Sequence, residues 1–223
     1  MFPDRLKGLL RSPGSPLHSS TAEDREAAPL EFVPRNSSGL DQFFAYIKGE
    51  SGLTILDLGG ANQDNITFIT TLGHKLYTED LLRSLRLLTL PNGDGDSAHP
   101  DRIASFLSQN LDYPEEHFDG VLIWDVLEHL EPALLAATVE RLLQIVKPGS
   151  YLLSIFHAQD KLETVPVDSF RIRDARTLLV AGRGRRKPAQ IFNNRSLEKL
   201  FHNFNSLKFF LTKDNLREVI VKR

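Results

Sequence analysis

Residues 54–60 read Thr-Ile-Leu-Asp-Leu-Gly-Gly, and the fold turns on that stretch. Ile55-Leu56-Asp57-Leu58 is a short apolar run with the length of a buried strand, and it breaks into a glycine pair. A strand that stops at Gly-Gly lets the backbone turn sharply and lets another group approach where a Cβ would block it. Asp57 puts a carboxylate near the end of the run. In an open α/β sheet, the carboxyl ends of the strands are where ligands bind. A second stretch repeats the design at 118–129, Phe-Asp-Gly-Val-Leu-Ile-Trp-Asp-Val-Leu-Glu-His. Here an apolar strand over 120–124 runs into Asp125, and a helix is expected to carry Glu128 and His129. Two strands ending in polar residues imply one shared cleft.

The rest of the chain supplies the connections. Leu40, Phe43, Phe44 and Ile47 recur at helical spacing and end at Gly49 or Gly52. Ile66, Phe68, Ile69 and Leu72 form a second helix closed by Gly73. The strand 74–78 then ends in Glu79-Asp80, and helix resumes over 81–88. The loop 91–100 is rich in turn residues. A helix follows around Ile103–Leu107, with Pro100 suited to its first turn. A third strand of a doubly wound sheet is not written clearly in this interval. Leu134–Val146 is a long amphipathic helix closed by Lys147-Pro148-Gly149, and Tyr151–Phe156 is the next strand. From 157 to 190 the pattern loosens, with a hairpin suggested by 170–173 and 177–180. A capped helix over 194–201 precedes a closing hairpin of Leu207–Thr212 and Leu216–Val221. This order predicts an α/β, Rossmann-like doubly wound sheet of six or seven mostly parallel strands with a C-terminal antiparallel hairpin. The expected organisation is an extended arm over 1–37 and one domain over 38–223, with an insertion over 157–190. In the arm, Leu6, Leu9 and Leu10 space as one amphipathic turn.

Composition narrows the function classes. A chain of 223 residues that is 41% hydrophobic and 25% charged suits one soluble domain, and no apolar run reaches the roughly 20 residues of a membrane span. Residues 1–10 lack the uninterrupted apolar core of a signal peptide, so a cytoplasmic location is the expectation. A net charge of −2 does not advertise nucleic-acid binding. The absence of cysteine excludes disulfides, a thiolate zinc site and a cysteine nucleophile.

At these residues the chain resembles the class I S-adenosylmethionine-dependent methyltransferases, over roughly 40–160 and again at the closing hairpin. Leu56-Asp57-Leu58-Gly59-Gly60-Ala61 stands where that family has its Asp-x-Gly-x-Gly loop. Glu79 and Asp80 follow about 20 residues on, where an acid takes the ribose hydroxyls. Phe118–Val121 with Val126–Leu130 is similar to the family's fourth motif in its small-molecule branch, and Val146–Ser150 to the turn before its fifth strand. The resemblance implies S-adenosylmethionine as cofactor and methyl transfer to a small-molecule acceptor. The cofactor contacts it implies are Asp57, Gly59, Gly60, Glu79, Asp80, Asn110 and Asp125. Asn110 enters because the segment 107–109 has no carboxylate where relatives place one near the adenine. Ala61 replaces the loop's third glycine. A catalytically inactive methyltransferase-like module is the competing reading.

Asp125, Glu128 and His129 fall at i, i+3 and i+4, so a helix starting there would gather them near the cleft. His129 is the candidate general base. The trio is also similar to the metal-binding residues of ubiquinone-biosynthesis O-methyltransferases, while its plain reading is a cap and a surface helix; no metal is assigned. Trp124 suits either the pocket or the core. His157, just past the fifth strand, is placed to face an acceptor. The run Arg183, Arg185, Arg186, Lys187 reads as a solvated loop tip rather than a nucleic-acid grip.

Overall fold

The computed structural model describes residues 30–88, 99–158 and 163–223. The leucines at 6, 9 and 10, most of the expected arm and most of the loop 91–100 lie outside the described residues. The elements in chain order are β1 (Val33–Asn36), α1 (Ser38–Ile47), β2 (Thr54–Asp57), α2 (Gln63–Thr71), β3 (Lys75–Thr78), α3 (Leu81–Leu88), α4 (Pro100–Asn110) and β4 (Phe118–Trp124). A 3₁₀ turn (Val126–His129) leads to α5 (Pro132–Ile145), β5 (Val146–His157), β6 (Val165–Asp174), β7 (Thr177–Arg186), α6 (Asn194–Leu200), β8 (Ser206–Leu211) and β9 (Leu216–Lys222).

Six strands form one sheet in the order β3-β2-β4-β5-β9-β8. The β2–β3, β2–β4 and β4–β5 pairs are parallel, whereas β9 runs antiparallel to both β5 and β8. Five strands therefore share one direction and β9 alone opposes them. The sheet is the expected Rossmann-like one with its closing hairpin, and among the described residues no strand lies outside β3. Its central strands are buried on both faces, which explains their near-continuous apolar sequences. Val121 and Ile123 of β4 face the core beneath α3, α4 and α5, while Leu122 and Trp124 face the core under α1 and α2. Ser37 caps α1 by accepting from Leu40 N. That helix lies close on β4 because Gly120 has no side chain: a Cβ there would meet Phe43 Cζ at 2.7 Å.

The hairpin suggested at 170–180 is longer than the sequence pattern indicated. β6 and β7 pair antiparallel over ten residues each, and β1 adds to β7. The three make a separate sheet, β1-β7-β6, laid over α2. Residues 33–36 of the expected arm are thus a strand in this sheet. Arg183, Arg185 and Arg186 are part of β7, which corrects the loop-tip reading of the basic run. The turn expected at 147–149 lies inside β5, where the register against β4 slips and Gly149 adopts φ +82°.

The helix expected from Asp125 is also corrected. Val126–His129 makes a single 3₁₀ turn, after which Leu130 is extended at φ −87°, ψ 132°. Pro132 opens the next helix, and the residue before a proline is barred from helical backbone, so the turn cannot continue into α5.

Candidate functional site

The loops that leave β2 and β3 are tied together at the carboxyl edge of the sheet. Gly59 bridges Asp80 antiparallel, Gly60 N donates to Glu79 O at 3.1 Å, and Glu79 N donates to Asp57 O at 2.8 Å. The glycine pair permits this contact. Gly60 has φ +87°, and a Cβ on it would meet Asp80 Oδ2 at 3.1 Å. Glu79 and Asp80 therefore sit directly against the glycine loop, both half-buried. Tyr113 donates its hydroxyl to Glu79 Oε1 at 2.5 Å; its own burial and that neighbouring carboxylate push the phenol pKa up. Asp80 Oδ1 accepts from Arg83 N and so caps α3.

Asp57 lies deeper. Its carboxylate is fully buried and accepts from Trp124 Nε1 at 2.6 Å, Asn65 Nδ2 at 2.7 Å and Gly59 N at 2.9 Å. Burial outweighs those three donors and holds its pKa above the usual carboxylate value. Trp124 belongs to the core. It stacks on Phe170 of β6 with ring centroids 5.2 Å apart and an interplanar angle of 6°. A Cβ on Gly59 would strike the indole at 2.7 Å. Trp124 also holds φ +59°, a left-handed backbone that costs a non-glycine residue about 1–3 kcal/mol. Asn110 spends its amide locally, donating to Phe106 O and accepting from Ser84 Oγ.

A second polar group lies where β4 and β5 end beneath β6. Asp125 is buried, and its Oδ2 accepts from Asp168 N at 3.1 Å. Burial, with the charges of Glu128 and Asp168, raises its pKa to about 7 against the donor from Asp168. Glu128, also buried, grips His157 twice: Oε2 accepts from the backbone N at 3.1 Å and Oε1 lies 2.5 Å from Nδ1. Burial alone would lower the His157 pKa, but the bond and charge of Glu128, reinforced by Asp125 and Asp168, raise it. His129 differs. Both of its ring nitrogens are buried without a partner. Burial, aided by Arg186 and His157, lowers its pKa to about 4 despite Glu128. A cavity of about 320 Å³ opens on His157, Pro166, Asp168, Arg185, Asp214 and Leu216. Among the described residues, no group of three or more histidines and carboxylates is placed to hold a metal ion.

The structure therefore brings Gly59, Gly60, Glu79 and Asp80 together at one edge and draws Asp57 into the interior beside them. It gathers Asp125, Glu128 and His157 at the neighbouring strand ends, and leaves His129 enclosed. Asn65, Tyr113, Asp168 and Phe170 did not stand out in the sequence. Asn65 carried the one available hint, a polar residue on the inner side of an amphipathic helix.

The family model described as a methyltransferase domain matches residues 24–206. The chain belongs to that family. The class I S-adenosylmethionine-dependent methyltransferase fold expected from the motifs is the fold of this methyltransferase domain, and S-adenosylmethionine is the cofactor of the class. No curated protein matches the domain significantly. A SAM-dependent methyltransferase from Archaeoglobus fulgidus is similar at 13% identity with a TM-score of 0.50, covering 82% of this chain and 91% of that one. The 1,6-didemethyltoxoflavin-N1-methyltransferase of Burkholderia thailandensis, solved with 1,6-didemethyltoxoflavin and S-adenosylhomocysteine, is 14% identical with a TM-score of 0.44, covering 82% and 74% of the two chains. A SAM-dependent methyltransferase from Methanosarcina mazei is 12% identical with a TM-score of 0.45, covering 78% and 93%. Among the described residues of the domain, no helix is long and apolar enough to cross a membrane.

Proposed function

We propose that this chain binds S-adenosylmethionine at the edge formed by Gly59, Gly60, Glu79 and Asp80 and transfers its methyl group to a small-molecule acceptor. The observation that carries the reading is the pairing of the glycine loop with the Glu79–Asp80 backbone. It puts two half-buried carboxylates beside a stretch of main chain without side chains. One carboxylate can accept hydrogen bonds from both vicinal hydroxyls of a ribose, which supplies affinity and orientation together. When bound, the cofactor supplies a methyl group on a positively charged sulfonium. The protein's part is then to hold donor and acceptor in line, to exclude water and, where the acceptor must lose a proton, to receive it. Residues 163–187 supply a roof above the strand ends. Asp57 serves this reading as the buried post that fixes the glycine loop, and Asp125 as a second buried acid at the end of β4.

Calorimetric titration with S-adenosylhomocysteine tests the proposal, after checking that none co-purifies. Micromolar binding that weakens at least about tenfold in Glu79→Ala, an interaction worth about 1.4 kcal/mol or more, supports it. Absence of binding by the intact chain, with no ligand carried through purification, overturns it. A second reading, a methyltransferase-like binding module without turnover, has its own support. Trp124 packs on Gly59, and the Asp57 carboxylate is engaged by Trp124 Nε1, Asn65 Nδ2 and Gly59 N.

A further inference from the structure

We propose that the cavity between α1, α2 and the β6–β7 turn is a ligand site separate from the candidate cofactor edge, and that it takes an uncharged, one-ring aromatic amide held by His74. The inference does not rest on the methyl-transfer reading and involves none of Gly59, Gly60, Glu79 and Asp80.

The cavity lies at the amino end of the sheet. His74 precedes β3 and Glu79 follows it, so about 16 Å of extended chain separates the two ends. Its volume of about 380 Å³ is at the small end of ligand-binding sizes and suits one ring. Phe44 and Ile47 of α1 and Phe68 and Leu72 of α2 and its cap give it an apolar wall. Phe44 and Phe68 meet edge to face with ring centroids 5.1 Å apart, and a third aromatic ring can join such a pair in the same geometry. Leu72 is 44% exposed, so this wall is open to a ligand rather than closed by the rest of the core.

His74 is the group that selects the ligand. It is 6% exposed, lines the cavity, and has no side-chain hydrogen bond among the described residues. Its Nδ1 is enclosed without a partner, whereas Nε2 keeps what access the ring has left. A buried polar side chain without a partner is uncommon in a folded protein and points to a group that completes it. Burial holds the His74 pKa below its ordinary value against the charge of Asp119. The imidazole is therefore neutral at about pH 7, with one donor and one acceptor nitrogen. A primary amide carries a carbonyl acceptor and N–H donors, so it pairs with Nε2 in either tautomer. The charges at the mouth select against ions. Lys48 and Arg176 are offset by Asp41 and Glu50, and Arg176 Nη2 lies 3.9 Å from Asp41 Oδ1. A charged ligand gains no net attraction there and loses its hydration against the apolar wall.

The test titrates benzamide into the full-length protein by calorimetry, with no cofactor present. One saturable site is expected, with a dissociation constant of about 1 mM or below. Benzoate and benzylamine, which share the ring but carry opposite charges, should bind at least about tenfold more weakly. Ala175→Trp fills the cavity from an exposed position in the β6–β7 turn and should abolish binding. His74→Phe keeps a ring of similar size without the nitrogens and should weaken benzamide by about tenfold. The imidazole NMR signals of His74 in the unaltered protein should move on adding benzamide while those of His157, at the other end of the sheet, do not, a readout that needs no variant. No binding, benzoate or benzylamine bound as tightly as benzamide, binding that survives Ala175→Trp, or unmoved His74 signals overturns the proposal. Because the assay contains neither S-adenosylhomocysteine nor a methyl acceptor, its result is independent of the proposed function.

Discussion

Asn65→Ala should detach the small β-sheet from the cleft it roofs. Asn65 is 1% exposed and joins three elements: its Nδ2 donates to Asp57 Oδ2 at 2.7 Å and weakly to Phe170 O, and its Oδ1 accepts from Ile172 N at 2.7 Å. Truncation leaves the Ile172 N–H buried without an acceptor, at a cost of about 1–3 kcal/mol, and removes one of three donors from a buried carboxylate, worth about 1.5–3 kcal/mol. Water entering the vacated space recovers part of this, so a net loss of about 3 kcal/mol is expected. With a urea dependence of about 2 kcal/mol per molar, the unfolding midpoint should fall by about 1.5 M. The protein's single tryptophan, Trp124, stacks on Phe170 and is itself a donor to Asp57, so its fluorescence reports the junction while far-UV circular dichroism reports the whole fold. The variant should show a red-shifted emission before the main transition. A loss under about 0.5 kcal/mol, with unchanged Trp124 emission, would refute the assignment of Asn65 as the tie between roof and core.

The buried acid and histidine near the end of β4 should give opposed pH dependences. His129 is held at about 4 against an ordinary 6.5, so the unfolded chain takes up its proton first and stability is lost as pH falls from about 6.5 to 4, by roughly 3 kcal/mol in full. Asp125 is raised to about 7 from 3.8, so its contribution is lost as pH rises through that window. Urea midpoints measured across pH 4–7 should therefore climb more steeply with pH in Asp125→Asn and fall with pH in His129→Leu; parallel curves for all three proteins would contradict both assignments. Gly120→Ala should destabilise by about 1–3 kcal/mol, because the new methyl meets Phe43 Cζ at 2.7 Å and Ile55 Cδ1 at 3.1 Å within a closed core. Equal or increased thermal stability in that variant would show that α1 is free to shift outwards.

The parallel sheet was legible because its strands are short apolar runs bounded by glycine and acid, and because the helices bury every third or fourth residue. Capping residues such as Ser37 and Asn193 mark true helix starts for the same local reason. The small sheet was not legible. β1 is four residues, only one of them half-buried, and its partner β7 is far away in sequence. No alternation reports such a pairing. The helix expected at Asp125 failed because Pro132 dictates the backbone ahead of it, a constraint stronger than the spacing of three polar residues. Of the candidate site, the meeting of Gly59 and Gly60 with Glu79 and Asp80 was legible, because backbone geometry and strand ends fix it. The site was obscure for the two histidines. His129 and His157 look alike in a sequence, and the direction of Glu128 and the depth of burial that distinguish them exist only after folding.

The position of β9 bears on how the polypeptide assembles as it leaves the ribosome. Strands β2 to β5 can pair in the order they are made, but β9 fills the place beside β5 only after β6, β7, α6 and β8 have been made. Until residues 216–222 arrive, β5 presents an unpaired edge whose Leu152, Leu153, Ile155 and Phe156 are among the most apolar of the chain. An open apolar edge is a template for another nascent chain. β1 waits similarly for β7. Shortening the chain before β9 should thus produce aggregation during synthesis rather than a smaller stable domain, and a chaperone that binds extended apolar segments would be needed most in the interval between β5 and β9.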